Sequence, residues 1–530
     1  MSKLNQKNTR RSIGREGTSY NGNVQEAKTH AQQLFEIITL TLYGNGGNSY
    51  ESESTIVKRL REALAQCVKA NDLDFVANAI VHARTAMHIR TMPLMLAVMF
   101  AKELRAQKKS YANMRTVVRD VIQRADQITD MLAFSLAEFG DKKAIPTALK
   151  NGIADAFNKF DEYQFAKYNR DNAVKFTDVM RIVHPKPKTL EQGVLFDKIM
   201  NSARPDKQVT SAGQLATPYT WETQLSEAGQ SGKSKAEVWT QLIESGKLGY
   251  MALLRNFRNF VETGVSQEVM KKVCDRIADP KEVARSKQLP FRFTTAYNIA
   301  EELNHNGLIR AVSRALDASV SNMPNIGDNV WIMYDSSGSM RGNGMSPRDR
   351  QNYYGNSSKT FKGDAFDNAC LFAAVLAKAS ADSMNVAVTH FATGAEMCGF
   401  NADDSVMSIY NSFKKKNKGY GTDLGAALKL KPRLGFEPDA VFVISDMQVN
   451  RLDKSQLPSA MKGVSTKIAL NLGQYETTPV GELSGWYQLA GWSSSLFDFI
   501  PAMKEKVTVT KALSVPYLGV ETIKSQHNLG

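Results

Sequence analysis

Between Val24 and Val320 the hydrophobic residues recur mainly at intervals of three and four, a spacing that predicts amphipathic helices. The pattern is strongest in VQEAKTHAQQLFEIITLTL, VKRLREALAQCVKA, LMLAVMFAKELRAQ and VSQEVMKKVCDRIADP. No stretch of this region alternates apolar and polar residues with comparable strength. Successive helices of roughly 10–18 residues with short connections indicate stacked helix pairs of the solenoid kind. Because no strict repeat period is present, an irregular helical bundle is the alternative.

Near residue 322 the pattern changes, because the linker-like segment MPNIGDN is followed by short apolar runs that alternate with helical segments. This order predicts a doubly wound, Rossmann-type α/β domain with helices on both faces of a parallel sheet. The predicted strands are VWIMY (330–334), MNVAVTHF (384–391), AVFVISD (440–446) and TKIALNL (466–472), and the predicted helices include AFDNACLFAAVLAKAS and DLGAALKL. The sequence therefore predicts a basic flexible arm at 1–20, a helical domain at 21–322 and an α/β domain at 323–530.

The composition indicates the type of binding partner and the cellular compartment. The net charge is +14, and about +12 of it lies before residue 321, which favours a polyanionic partner, although a solvated basic face is the alternative. The four cysteines lack CxxC spacing, which is typical of a reducing, intracellular environment. The basic N-terminus has no apolar core, and the longest apolar run, MPLMLAVMFA, is about half of a bilayer span. We therefore expect a soluble, cytoplasmic protein that does not bind membranes.

Oxygen-bearing side chains follow several predicted strands of the α/β domain. The first strand leads into Asp335, Ser337 and Ser339, the loop GYGTDLG carries Thr422, and the strand VFVIS ends at Asp446. The carboxyl ends of parallel strands form the usual ligand site of such sheets. Carboxylates and hydroxyls without His or Cys are a hard oxygen set of the kind that Mg²⁺ prefers, with Mn²⁺ as a second possibility. Water and a partner's carboxylate would complete the coordination.

A serine nucleophile is the alternative interpretation of DSSGSM, but this motif is neither GxSxG nor the start of SxxK. In this half of the chain only His390 and His527 could act as a base. His390 lies within a predicted strand, where ordinary packing or a surface position is its expected role. No catalytic constellation is found, and we expect a protein that is not an enzyme.

The order DxSxS, then a threonine in a glycine-rich loop, then an aspartate after an apolar strand resembles the metal-ion-dependent adhesion site of von Willebrand factor A-type domains. That resemblance implies that Asp335, Ser337, Ser339, Thr422 and Asp446 bind the metal. The chain departs from the family after Met340, where an insertion at 341–364 precedes the first helix. An insertion beside the site could cover it.

In the helical region the stretch ALKNGIADAFNKFDEYQFAKYNRDNAVKFTDVMRIVHPKP (148–187) predicts a helix, a basic turn, a helix and a proline-bounded exit. The residues Lys150, Lys167, Arg170 and His184, with Tyr168 among them, are donors and a ring of the type that phosphates and unpaired bases require. Solvated helix ends, with His184 as a turn residue before Pro185, are the alternative.

The same stretch resembles the TROVE module of the Ro autoantigen family, including its bacterial and phage-type members. Further matches are LPFRFTTAYNIAEEL (289–303), EVWTQLIESGKLGYMALLRNF (237–257), LYGNGGNSY (42–50) and GWSSSLFDFI (491–500), the last of which looks like the family's final helix. The resemblance implies a monomeric ring of HEAT-like helical repeats closed by an A-type domain. It also implies that Lys167, Arg170 and His184, and more weakly Lys150, contact Y RNA.

We expect from this resemblance a scaffold for RNA quality control. Its outer surface would bind Y RNA, its central hole would take single-stranded ends of misfolded noncoding RNA, and Y RNA could tether polynucleotide phosphorylase. An adhesion module that captures an acidic partner residue through the metal is the alternative from another class. A hydrolase that uses Ser337 is the third hypothesis.

Overall fold

The computed structural model describes residues 16–18, 24–40, 53–169, 173–202, 213–216, 220–286, 288, 290–320, 327–341, 365–381, 383–416, 418–449, 456–473, 477–480, 485–490 and 509–520. Several predicted features lie outside these residues: Arg170, the insertion at 342–364, the LYGNGGNSY motif, the block at 491–500 and all of the N-terminal arm before residue 16.

The region from residue 30 to residue 320 is helical, as its periodicity predicts. Its helices are α1 (His30–Leu40), α2 (Glu53–Ala70), α3 (Leu73–Thr85), α4 (Met92–Ala106), α5 (Met114–Val121), α6 (Asp126–Phe139), α7 (Thr147–Phe157), α8 (Glu162–Tyr168), α9 (Phe176–Val183), α10 (Leu190–Asn201), α11 (Trp221–Ser231), α12 (Lys235–Glu244), α13 (Tyr250–Glu262), α14 (Gln267–Ala278), α15 (Pro280–Ser286), α16 (Pro290–Glu302) and α17 (Asn306–Val320). In α9, for example, Phe176, Val179, Met180 and Val183 share one buried face at the helical spacing.

The α/β domain contains the predicted doubly wound sheet. Its strands are β3 (Asn329–Asp335), β4 (Asn385–Phe391), β5 (Ala395–Cys398), β6 (Ala440–Ser445), β7 (Thr466–Asn471) and β9 (Tyr487–Ala490), in the order β5-β4-β3-β6-β7-β9. All neighbours are parallel except the edge strand β5, which pairs antiparallel with β4. The four predicted strands are confirmed, whereas β5 and β9 are too short to show a pattern in the sequence.

Helices cover both faces of this sheet. They are α18 (Ala365–Ala379), α19 (Val406–Lys414), α20 (Leu424–Leu428), α21 (Gln456–Ala460) and α22 (Val509–Leu513). On one face Ile332 and Tyr334 pack with α18 and α19, and on the other Trp331 and Met333 pack with α20 and α21. Because both faces are buried, the strands are apolar at nearly every position rather than at alternate ones.

The helix predicted from Val24 begins later than expected. Residues Val24–Ala27 form strand β2, which pairs antiparallel with β1 (Glu16–Thr18) and with β8 (Thr477–Thr478). The prediction of helix here was wrong because the pairing partner of VQEA lies far away in the chain, and local periodicity carries no information about it. Residues 16–18 of the predicted arm thus lie in a strand.

Both ends of the helical array contact the α/β domain. Helix α1 packs against β9 and α3 packs against α22, while α16 and α17 pack against α18 and α19. At the second contact the Asp317 carboxylate accepts a hydrogen bond of 2.8 Å from the Val406 amide at the start of α19. A helical array whose first and last helices rest on the same domain is closed, as a ring requires.

The first of these contacts is rich in buried polar groups. The Asn78 side-chain amide donates to the carbonyls of Leu513 and Val515 at 3.0 and 2.7 Å. The Tyr517 hydroxyl donates to Asp120 Oδ2 at 2.6 Å, and its backbone amide donates to Asp74 Oδ1 at 3.1 Å. The segment 509–520 is therefore attached to α3 and α5 by directional bonds as well as by packing.

A buried ion pair lies at the same contact. Lys28 and Glu36 are 6% and 3% exposed, with Lys28 Nζ 2.7 Å from Glu36 Oε2. The Asn471 side-chain amide at the end of β7 donates to the same oxygen at 3.0 Å. Burial raises the pKa of Glu36, whereas Lys28 lowers it. This carboxylate ties α1 to the sheet. Among the helices that the structure describes, none is long and apolar enough to cross a bilayer.

Removing the hydrogen bond between Tyr517 and Asp120 tests how strongly it holds segment 509–520 on α5. Tyr517→Phe removes one hydrogen bond to a charged group, worth about 1.5–3 kcal/mol. We expect amide hydrogen exchange in residues 509–520 to accelerate about tenfold to a hundredfold. Tyr420→Phe, at a tyrosine that is 71% exposed, is the matched control and should leave exchange unchanged. Equal exchange in the two variants would show that the bond does not hold the segment.

Candidate metal centre and candidate nucleic-acid interface

The predicted metal ligands lie where neighbouring parallel strands end. Strand β3 ends at Asp335 and β6 ends at Ser445, directly before Asp446. The register pairs Tyr334 with Ile444, so Asp335 lies beside Ser445 and Asp446 follows one position further along. Both carboxylates are buried, Asp335 fully and Asp446 at 5% exposure. The fold thus brings together two acids that are far apart in the sequence.

Hydrogen bonds position the first aspartate and its serine loop. Asp335 Oδ1 accepts from the Ser337 amide at 2.8 Å, and Asp335 Oδ2 accepts from the Ser445 hydroxyl at 2.7 Å. The hydroxyls of Ser337 and Ser339 lie 3.2 Å apart, and the Ser339 side chain hydrogen-bonds Asp446. Four of the five predicted ligands therefore form one connected group.

The loop that carries Thr422 reaches the same group. The Gly338 amide donates to the Tyr420 carbonyl at 2.9 Å, and the Asp423 amide donates to the Ala392 carbonyl, which follows β4, at 2.7 Å. Glycine is suited to position 338 because an added Cβ would lie only 3.3 Å from the Tyr420 carbonyl oxygen. Thr422 itself is 4% exposed. Three strand-end loops thus meet at this edge of the sheet.

Two buried carboxylates dominate the electrostatics of this group. Burial and the charge of Asp446 raise the pKa of Asp335 from 3.8 to about 7. Burial also raises the pKa of Asp446. Two buried carboxylates that oppose each other's ionisation are stabilised by a divalent cation between them. Among the described residues no three His, Cys, Asp or Glu side chains are placed to hold a metal, so hydroxyl oxygens would have to complete a shell here, which suits Mg²⁺.

A serine and a histidine do contact each other in this region, but the serine is Ser336. Its hydroxyl lies 3.1 Å from His390 Nδ1 and 3.1 Å from the Phe391 carbonyl. Both residues are fully buried, and burial lowers the pKa of His390 to about 4. The predicted packing role of His390 within a strand is confirmed. The pair joins the end of β3 to β4 in the interior of the domain.

Of the predicted RNA-binding residues that the structure describes, Lys150 lies on α7, Lys167 lies on α8 and His184 directly follows α9, so the stretch contains three helices instead of the two that the sequence predicts. The extra helix is α8, which begins at a capping box: Asp161 Oδ1 accepts from the Gln164 amide, and Gln164 Oε1 accepts from the Asp161 amide. The spacing of Asp161 and Gln164 was the sequence signal for this helix. Lys167 and Tyr168 therefore end a helix instead of lying in a turn.

An aromatic cluster holds α7, α8 and α9 together. The Phe165 ring of α8 stacks on Phe157 of α7 at 5.7 Å and meets Phe176 of α9 edge-on at 5.2 Å. On this core Lys150 and Lys167 are half-buried, while His184 is exposed. His184 ends α9 with a positive φ of 50°, so it is also the turn residue of the alternative interpretation.

Sequence reasoning missed Arg124, which is paired with Asp126 at 2.5 Å, and Tyr163, and both lie beside Lys167 and Tyr168. The Arg124 guanidinium lies 4.8 Å from the centre of the Tyr168 ring, and Lys167 Nζ lies 5.6 Å from the same ring. Lys167 is also 5.9 Å from the ring of Tyr163, which is 47% exposed. Tyr163 could have been found from its place in the capped helix, whereas Arg124 is distant in the chain and only the packing of α6 against α7 and α9 brings it here.

Comparison with known proteins places this architecture in a family. The model of the TROVE domain matches residues 17–216 and 208–325, more than half of the chain. The chain therefore belongs to the TROVE-domain family. A solved structure, the crystal structure of Deinococcus radiodurans RO (RSR) protein, is similar with a TM-score of 0.55 and 14% identity, over 90% of this chain and all of that one. The fold is thus Ro-like.

Two curated relatives share part of the chain. They are telomerase protein component 1 of Rattus norvegicus, 26% identical, and of Mus musculus, 27% identical, each over 43% of this chain. The match spans 11% of the length of either relative. Family and fold together support a Ro-like, RNA-binding protein.

The two buried carboxylates predict that the stability of the fold depends on pH when divalent cations are removed with EDTA. A buried acid whose pKa is raised on folding stabilises the fold at low pH and loses this contribution as the pH rises, here between about 4 and about 7. We expect the melting temperature of the wild type to fall relative to that of Asp335→Asn between about pH 5 and about pH 8.

The control for this measurement is Asp403→Asn, at an exposed aspartate of the same domain. Its melting temperature should follow that of the wild type across the range. If the difference in melting temperature between wild type and Asp335→Asn does not change with pH, Asp335 does not titrate in this range and the raised pKa is contradicted.

Proposed function

We propose that the protein is a non-enzymatic, cytoplasmic RNA-binding scaffold that takes part in RNA quality control. Its helical ring binds Y RNA or a similar structured RNA on the outer surface, and the hole of the ring accepts single-stranded ends of misfolded noncoding RNA. The observation that carries the proposal is the basic surface on α7, α8 and α9, where Lys167 and Arg124 flank the Tyr168 ring.

The chemistry of this surface suits RNA. Lysine and arginine bind phosphates with little base preference, whereas half-exposed aromatic rings accept unpaired bases. The charge distribution agrees, because about +12 of the net +14 lies before residue 321, in the N-terminal arm and the helical region together. Lys150, Lys167, Arg170 and His184 are the proposed contacts, and the RNA so bound could in turn recruit a nuclease such as polynucleotide phosphorylase.

The proposed contacts are tested with two ligands, a Y-like hairpin RNA and a single strand without structure. The variant is Lys167→Ala combined with His184→Ala. We expect it to weaken hairpin binding about tenfold or more and single-strand binding much less, because the two residues lie on the proposed outer site. Gel-shift titration at one fixed salt concentration measures both affinities.

The control for charge is Lys235→Ala combined with Lys272→Ala, at exposed lysines of other helices. It removes two positive charges without touching α7, α8 or α9, and hairpin binding should fall by less than about threefold. If the Lys167 and His184 variant loses the same affinity for both RNAs, these residues do not form a hairpin-specific site.

The α/β domain has a second role in this proposal. A divalent cation, Mg²⁺ or Mn²⁺, is held by five residues and captures an acidic residue of a protein partner. The five are Asp335, Ser337, Ser339, Thr422 and Asp446. When bound, the cation supplies an open coordination position for a carboxylate. The buried carboxylates of Asp335 and Asp446 favour this role, since burial raises the pKa of both, the charge of Asp446 raises the pKa of Asp335 further, and a cation would relieve both effects.

Metal binding is measured without a partner, by the loss of the free Mn²⁺ paramagnetic resonance signal on titration with protein. We expect the wild type to bind Mn²⁺ more tightly at about pH 8 than at about pH 5, because the ligands must be deprotonated. Asp446→Asn should abolish binding and Asp403→Asn should preserve it. Undiminished binding by Asp446→Asn would place any metal elsewhere.

A further inference from the structure

A cavity of about 560 Å³ lies between α8 and the helices from α11 to α15. Its lining includes the half-exposed Tyr163 and Lys167 of α8, Trp221 of α11 and the loop from Gly246 to Gly249 before α13. A pocket of this volume accommodates a ligand of nucleotide size. None of the candidate sites predicted from the sequence includes it, although Lys167 borders both the cavity and the basic surface.

The charges of the lining favour an anion. Four basic side chains border the cavity against two acidic ones. One of the acids, Glu282, already accepts from Arg276 and Arg285 at 3.3 Å each. The Arg285 side chain is nonetheless 77% exposed. Lys167 and Lys247 add to this excess, so the net charge of the lining is positive.

The aromatic groups of the lining have distinct roles. Trp221 stacks on Trp239 with ring centres 5.7 Å apart, and the Tyr250 hydroxyl donates to the Ile277 carbonyl at 2.8 Å. Both are therefore engaged in the fold. Tyr163 is 47% exposed with a lysine 5.9 Å from its centre. It is the ring best placed to stack on a planar ligand whose charge a lysine neutralises.

One wall of the cavity is formed by backbone at Gly246 and Gly249, with open space beside it. A Cβ added at Gly246 or Gly249 would meet nothing within 4 Å. Gly249 precedes α13 and no side chain caps this helix, so the first amides of α13 have no partner within the helix. These amides add to the attraction for an anion that the basic side chains already create.

We infer that the cavity binds one unpaired nucleotide of an RNA, with the base on Tyr163 and its phosphate near Lys247 and the start of α13. The inference rests on the RNA-binding function proposed above and adds a site for a single splayed nucleotide. A free mononucleotide has the same chemistry and is separated from RNA by the experiment.

The experiment uses the full chain and a fluorescein-labelled, unstructured oligonucleotide that contains one 2-aminopurine, whose fluorescence falls on stacking. Gly249→Leu fills the cavity without removing a charge, and its φ of −63° suits any residue. Tyr163→Ala removes the stacking ring. Because base stacking on an aromatic side chain contributes about 1–3 kcal/mol, each variant should weaken binding about fivefold or more and abolish the quenching.

Two matched controls accompany these variants. Tyr163→Phe keeps the ring and should bind within about twofold of the wild type. Gly399→Leu makes the same substitution in the α/β domain, where an added Cβ also meets nothing within 4 Å, and should change nothing. Melting temperatures show whether each variant folds, and Tyr163→Ala, at a half-exposed position, tests the site even if Gly249→Leu does not fold.

The outcomes separate this inference from the proposed function. If the wild type binds the oligonucleotide and both Gly249→Leu and Tyr163→Ala bind it equally well, the cavity is not a nucleotide site, and the RNA-binding function stands. If AMP binds the wild type and loses affinity in Gly249→Leu while oligonucleotide binding does not, the cavity belongs to a free nucleotide and the inference is overturned. If the wild type binds neither oligonucleotide nor hairpin, both proposals fail.

Discussion

The structure depends on the contact between the first helices of the array and the C-terminal segment of the chain. Tyr517, Asn78 and the buried pair of Lys28 and Glu36 join residues from opposite ends of the sequence. Since α16 and α17 rest on the same α/β domain, this contact closes the array. Polar groups suit such a closure because their hydrogen bonds have direction, and an unpaired partner left in a dry contact is costly.

Closure divides the molecule into a basic helical part and an α/β part whose carboxylates face each other. In the first, aromatic packing presents Lys167, Arg124 and their rings at the surface, because the phenylalanines of α7, α8 and α9 occupy the interior. In the second, parallel pairing forces Asp335 and Asp446 together at one edge. One part therefore suits an anion and the other a cation, and the two roles do not compete for residues.

Much of this arrangement could be predicted. The strands around Trp331, Val388, Val443 and Ala469 were found from apolar runs because burial on both faces leaves few polar positions. The order of the oxygen-bearing residues from Asp335 to Asp446 was recognised in the sequence, and the structure brings them to one edge of the sheet, while their role as metal ligands stays a prediction. Strand β2 was predicted as helix because its partners are non-local, and α8 was missed although Asp161 and Gln164 formed a capping box.

The sequence by itself determined the type of each long element, the boundary near residue 322, the charge asymmetry and the chemistry of the strand-end loops. These properties are local, since hydrophobic periodicity and side-chain type are read within a few turns of chain. Only the tertiary structure decided the closure through Tyr517, the approach of Arg124 to Tyr168 and the cavity beside Tyr163. Each of these joins segments that are distant in the chain, and no local pattern encodes which surfaces meet.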